Sequence, residues 1–212
     1  SSRVARTIVE GYSTPKLIIA NNVLAHSDSL QDIFGGISIL MGPDSTAVIE
    51  FSYVVDVFEK LLFDTIYHEH TSYHSIAPLK SFLIQFDLEI FDVERFDAHG
   101  GSARVYIKKI GTRQPISPSV ELAIDHEATL GIHDAKTWDG FNQRVSELAQ
   151  KLNEEIAEIK SRGETLLGYG VPAKFTSLFH ILGLRELDFD FIVDDNPLKI
   201  GKFAPEIGRA HV

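Results

Sequence analysis

Cysteine is missing altogether from the 212 residues, and methionine and tryptophan occur once each. Without thiols there are no disulfides, no thiolate metal sites and no cysteine nucleophile. No apolar run approaches the roughly 20 residues that a bilayer span requires. The first residues, SSRVARTIVEGYSTPK, lack the apolar centre of a secretory signal. Basic residues are also scarce: 20 Lys and Arg stand against 30 Asp and Glu, for a formal charge of −10 and a pI near 5.3. Nucleic acid wants a basic stripe and an anionic membrane wants a polybasic segment, and this balance offers neither. The expected setting is therefore cytoplasmic, with neither nucleic acid nor membrane as partner. What is present is a globular composition, 44% hydrophobic and 24% charged, in a chain long enough to bury a core.

The order of patterns predicts an α/β fold. Residues 16–22, KLIIANN, form a short branched apolar run that stops at a polar pair, which predicts a fully buried strand of a parallel sheet. Leu30, Ile33, Phe34, Ile37 and Leu40 recur at helical spacing before the Gly-Pro pair at 42–43. A second buried strand, TAVIEF, occupies 46–51, so strand, helix and strand follow one another as in half of a doubly wound sheet. A helix over 53–63 and another opening at Pro78 are expected next, then strands over 88–96 and 102–110 around the turn DAHGG. The polar stretch 111–119, with two prolines, reads as a linker, and a long amphipathic helix is expected from about Asp139 to Arg162. Strand, helix and strand return over 165–170, 173–182 and 188–195.

Four segments carry groups suited to chemistry. YHEHTSYH, residues 67–74, concentrates three histidines, a glutamate and two tyrosines. His70 and His74 are four apart and bring two metal ligands easily, but a third does not come, and the HExxH pattern fails at Ser72. The same groups suit proton transfer, because imidazole titrates near neutrality and a carboxylate or phenol can orient it. A solvated loop is the plain alternative. TLLGYGVPAK places Gly168, Tyr169 and Gly170 in a turn between a strand and a helix, with Lys174 in reach of an anion. Tight strand–helix packing would ask for the same glycines. DAHGGS, with His99, Gly100 and Gly101, reads either as a backbone anion contact or as a hairpin turn needing positive φ. ANNVLAH puts Asn21, Asn22 and His26 just beyond the carboxyl end of a strand, where α/β enzymes hold ligands.

The blocks ANNVLAH, VIEF, FDTIYHEHTSY, HGGSARVYI, GYGVPAK and FIVDDNPLKIGKFAP, in that order from about 16 to 208, resemble the S-adenosylmethionine-dependent sugar C-methyltransferases. These enzymes methylate a carbon of a nucleotide-linked keto-deoxysugar. The resemblance implies that 1–110 is the later part of a Rossmann-type methyltransferase domain and 111–162 a linker with the long helix. It implies further that 163–212 begins a C-terminal Rossmann-like α/β domain that binds the nucleotide sugar. It also implies a longer enzyme, with a cysteine-rich zinc module and a glycine-rich first strand–turn that these residues do not include. Zinc would belong to that module alone, and no metal is expected here. By the same resemblance His70 is the base, and Tyr67, Glu69 and His26 surround the sugar. Asn21 and Asn22 lie near the methyl donor, S-adenosylmethionine. Gly168, Tyr169, Gly170 and Lys174 hold the nucleotide diphosphate, and His99, Gly100 and Gly101 count with the substrate-binding residues. Two other readings use the same residues: a methyltransferase acting on a non-sugar small molecule, and a non-catalytic scaffold of methyltransferase type. Nothing in the pattern speaks to oligomeric state.

Overall fold

The computed structural model describes residues 1–185, 188–199, 201–204 and 208–211. Ile200 and Pro205, inside the FIVDDNPLKIGKFAP block, lie outside the described residues. The chain divides into two compact units. The first comprises Ser1–Lys60 and Glu69–Thr137, and the second Leu61–His68 and Trp138–Val212.

The first unit opens with α1 (Ser2–Tyr12), capped by the Ser1 hydroxyl, then β1 (Leu17–Asn21) and α2 (Leu30–Leu40). Ser29 caps α2 by accepting from the Asp32 amide at 3.2 Å, and Asp32 in turn accepts from the Ser2 amide at 2.9 Å, tying α1 to α2. β2 (Thr46–Ser52), α3 (Val54–Glu59) and α4 (Ile76–Leu83) follow, then β3 (Leu88–Phe96), β4 (Ser102–Lys109) and α5 (Pro118–Leu130). The sheet order is β1-β2-β4-β3, with β1 and β2 parallel and the β2–β4 and β4–β3 pairs antiparallel. Alternate residues Ala47, Ile49 and Phe51 of β2 and Ala103, Val105 and Ile107 of β4 face a core closed by Phe34 of α2, Leu79 and Leu83 of α4, and Val120 of α5.

Three expectations change. β1 is not a fully buried strand, since Leu17 and Ile19 are 54% and 63% exposed while Ile18 and Ala20 pack on the core. Among the described residues β1 pairs only with β2, so it is an edge of the sheet. The helix expected from Pro78 starts at Ile76, with Pro78 within its first turn. Where a linker and one long helix were expected over 111–162, α5 intervenes and packs on the first unit. Ser117 caps it, Pro118 opens it and Gly131 ends it at φ 66°.

The second unit contains most of α6 (Ala135–Ser161), with Phe141, Val145 and Ile156 buried along one stripe. β5 (Leu167–Tyr169), α7 (Phe175–Ile181) and β6 (Phe191–Val193) form a parallel strand–helix–strand unit. β8 (Gly208–His211) pairs parallel to β6, and β7 (Phe203–Ala204) antiparallel to β8. Phe179 and Ile192 centre its described core. A Cβ at Gly168 would lie 2.8 Å from Ile192 Cγ1, so close strand packing requires that glycine. Both units are thus α/β. No helix among the described residues is long and apolar enough to cross a membrane.

Candidate active site

In the first unit the histidine-rich segment runs from Glu69 to His74 and is sewn to the turn after β1. The Thr71 amide donates to the Ala25 carbonyl at 2.8 Å, and its hydroxyl donates to the same oxygen at 3.0 Å. Ser72 donates to the Leu24 carbonyl at 3.5 Å. His26 closes the join, its Nδ1 donating to the Glu69 carbonyl at 2.9 Å. A carbonyl oxygen only accepts, so in neutral His26 the proton sits on Nδ1 and the lone pair on Nε2.

That bond places the His26 and His70 rings edge to face, 5.0 Å between centroids. His26 and Glu69 are exposed and His70 is half-buried, against Tyr73 at 6.2 Å. The structure therefore brings His26, Glu69 and His70 together. The two adjacent imidazoles bring together ring nitrogens that can donate or accept a proton. His74 behaves differently. It is 8% exposed, its Nε2 lies 3.2 Å from the Ser72 hydroxyl, its ring meets Phe51, and burial pushes its pKa below the ordinary value.

The two asparagines stand at the end of β1. Asn21 is opposite Glu50, itself paired to Arg104 at 3.0 Å, and Asn22 takes left-handed backbone at φ 54°. The Asn22 amide donates to the Glu50 carbonyl at 2.8 Å. Both side-chain amides offer a donor and an acceptor at a strand's carboxyl end, where α/β folds hold ligands.

His99, Gly100 and Gly101 make the hairpin turn between β3 and β4, all three with positive φ. Gly101 has φ 151°, and a Cβ there would lie 2.2 Å from Asp56 Cβ and Cγ. Asp56 is fully buried and accepts from Arg95 Nε at 3.0 Å and Nη2 at 2.9 Å. Lys60 ties the turn to α3, donating to the Gly100 carbonyl at 3.0 Å and to Asp97 at 2.6 Å. These glycines thus serve the hairpin and its close approach to Asp56.

Tyr53 and Glu127, which sequence reasoning missed, join these parts. The Tyr53 amide donates to the Gly101 carbonyl at 3.3 Å, and the Val54 amide to the His74 carbonyl at 3.1 Å. The buried Tyr53 hydroxyl donates to Glu127 Oε1 at 2.7 Å. Burial first, then that bond, raises the phenol's pKa and keeps it a donor. One signal was available: a carboxylate at a stripe position among Val120, Ala123, Ile124 and Leu130.

The remaining candidates belong to the second unit. Tyr67 lies in its Leu61–His68 segment, with its ring edge-on to His68 at 5.7 Å. The turn at Gly168, Tyr169 and Gly170 has Gly170 at φ 85°. An anion already occupies its far side: the Val171 amide donates to Asp194 at 2.7 Å, and Lys199 pairs with that carboxylate at 3.0 Å. Backbone donation from Asn196 and Val171, then Lys199, holds the Asp194 pKa down to about 2. Tyr169 bonds Asp195, and Lys174 pairs with Asp64.

Residues 97–208, slightly more than half of the chain, match the family described as the C-methyltransferase C-terminal domain. C-methyltransferase NovU of Streptomyces niveus is 29% identical over 205 residues, covering 97% of this chain and 49% of the relative. The chain thus spans about half the length of that curated relative.

Proposed function

The chain belongs to the C-methyltransferases that carry this C-terminal domain, and from that premise we propose that it forms part of an S-adenosylmethionine-dependent enzyme. That enzyme methylates the carbon next to the keto group of a nucleotide-linked deoxysugar. In this reading residues 1–110 are the later part of a Rossmann-type methyltransferase domain, 111–162 connect, and 163–212 begin the nucleotide-sugar domain. The observation that carries it is the pairing of His26 and His70, with His26 Nδ1 committed to the Glu69 carbonyl.

His70 takes the proton from the carbon beside the keto group, and the electron pair moves to the keto oxygen. His26, its tautomer fixed, presents Nε2 toward the same surface and orients the sugar. By the family resemblance Glu69 and Tyr67 are also assigned to the sugar, to orient it or to hydrogen-bond its keto oxygen. Asn21 and Asn22 hold the polar groups of S-adenosylmethionine, which when bound supplies an electrophilic methyl group. His99 to Gly101 line the approach, and the turn at Gly168, Tyr169 and Gly170 receives the diphosphate as Lys174 exchanges Asp64 for it. The name of the relative, a C-methyltransferase, agrees with carbon as the acceptor.

Substituting His70 by Asn in the full-length enzyme tests the base. Methyl transfer to a nucleotide-linked keto-sugar and solvent exchange of its α-proton are both expected to fall by about 10²-fold or more. Exchange at the wild-type rate in the variant would remove His70 from that role.

A further inference from the structure

Glu127 is fully buried in the last turn of α5, and three of its partners, Tyr53, Ile76 and Ala77, lie at junctions of the candidate site. Its Oε1 accepts from Tyr53 Oη at 2.7 Å and from the Ile76 amide at 2.5 Å. Its Oε2 accepts from the Ala77 amide at 3.0 Å and lies 3.5 Å from Nε2 of the half-exposed His133. Ile76 and Ala77 are the first two residues of α4, whose flanking Ser75 makes no side-chain cap bond. A glutamate some 50 positions downstream therefore caps the helix that follows the histidine-rich segment.

Burying a carboxylate is costly unless its oxygens are satisfied, and here both are. A serine could cap an eight-residue helix from its own N-cap position, yet Ser75 makes no such bond. The geometry of Glu127 does something a serine cap would not. Tyr53 carries three roles at once: its hydroxyl bonds Glu127, its amide bonds Gly101, and its backbone bridges to His74. The segment 69–75 is pinned at its start by Leu24, Ala25 and His26, and at its end by Tyr53 and the α4 terminus.

We propose that Glu127 is a positioning residue for the histidine base, fixing through Tyr53 and the first turn of α4 the end of the segment that carries His70. The inference rests on the assignment of His70 above. Misplacement of a catalytic group by about 1 Å can cost about 10²-fold in rate without disturbing binding elsewhere.

The experiment compares Glu127→Ala, Glu127→Gln and Tyr53→Phe in the full-length enzyme, well below their melting temperatures. Glu127→Ala is expected to lower kcat by about 10–100-fold while the KM for the methyl donor stays within about twofold. Glu127→Gln keeps an oxygen for Tyr53 and Ile76 and is expected to recover most of kcat, within about threefold of wild type. Amide hydrogen exchange across 69–77 is expected to quicken in Glu127→Ala and, more weakly, in Tyr53→Phe, with β2 unchanged. A variant that melts earlier yet keeps the wild-type kcat and the wild-type exchange over 69–77 would overturn the proposal. Should Glu127→Ala fail to fold, Tyr53→Phe decides by the same two readouts. Should the wild-type enzyme leave keto-sugars untouched, the proposed function falls. The exchange comparison then still decides whether Glu127 holds the segment.

Discussion

At the residue scale, His74 shows how one short run can contain two kinds of histidine. Its ring is buried against Phe51 and its pKa lies below the ordinary 6.5, whereas His26 is exposed and the half-buried His70 lies beside it. As pH falls through 6.5 the unfolded chain takes up a proton that folded His74 refuses. Stability contributed by neutral His74 is therefore full above that value and drains away until the lower, folded pKa is reached. Urea midpoints read between about pH 7.5 and 5.5 are expected to drop further in wild type than in His74→Gln. The composition of YHEHTSYH announced proton chemistry, but spacing said nothing about which imidazoles the fold would cover. What holds them is mostly main chain, the carbonyls of Leu24, Ala25 and Glu69, and main-chain partners leave no mark in a sequence. Glu127 did leave one, as an acid among apolar stripe positions, and was passed over for that reason.

At the scale of elements, α2, β2, β3 and β4 were legible because their apolar periods are clean and each packs one face. α5 was not, because burying Glu127 breaks the helical stripe that periodicity seeks. β1 was over-read: a continuous apolar run looks the same whether both faces are covered or one. The β3–β4 hairpin shows the opposite balance, with local turn chemistry and a distant residue agreeing. Gly101 is required by its φ and by Asp56 alike. Gly101→Ala is accordingly expected to cost about 3 kcal/mol of unfolding free energy, read by denaturant melts. An alanine at Gly111, also at positive φ but facing open space, serves as the control and should cost about 1 kcal/mol.

For the molecule as a whole, the two units differ in how much apolar surface their described residues enclose. The first has a continuous core from Leu24 to Ile132 spanning sheet and helices. The described core of the second centres on Phe179 and Ile192, with Val171, Phe175, Leu184 and Phe189 around it. Local opening follows buried apolar area, so amides of β6 are expected to exchange well before those of β2 and β4. Equal protection in the two sheets would contradict this. Beside the glycine turn, the Val171 amide donates to Asp194, an acid that the G-x-G pattern alone does not announce.

The exposed side of β1 has a practical corollary. Leu17 and Ile19 project from a strand whose outer row of amides and carbonyls meets no other described strand, so the surface is both greasy and hungry for a neighbour. Self-association of this polypeptide by itself is therefore expected to rise with its concentration, and a lysine at Leu17 or Ile19 to suppress it, read by light scattering.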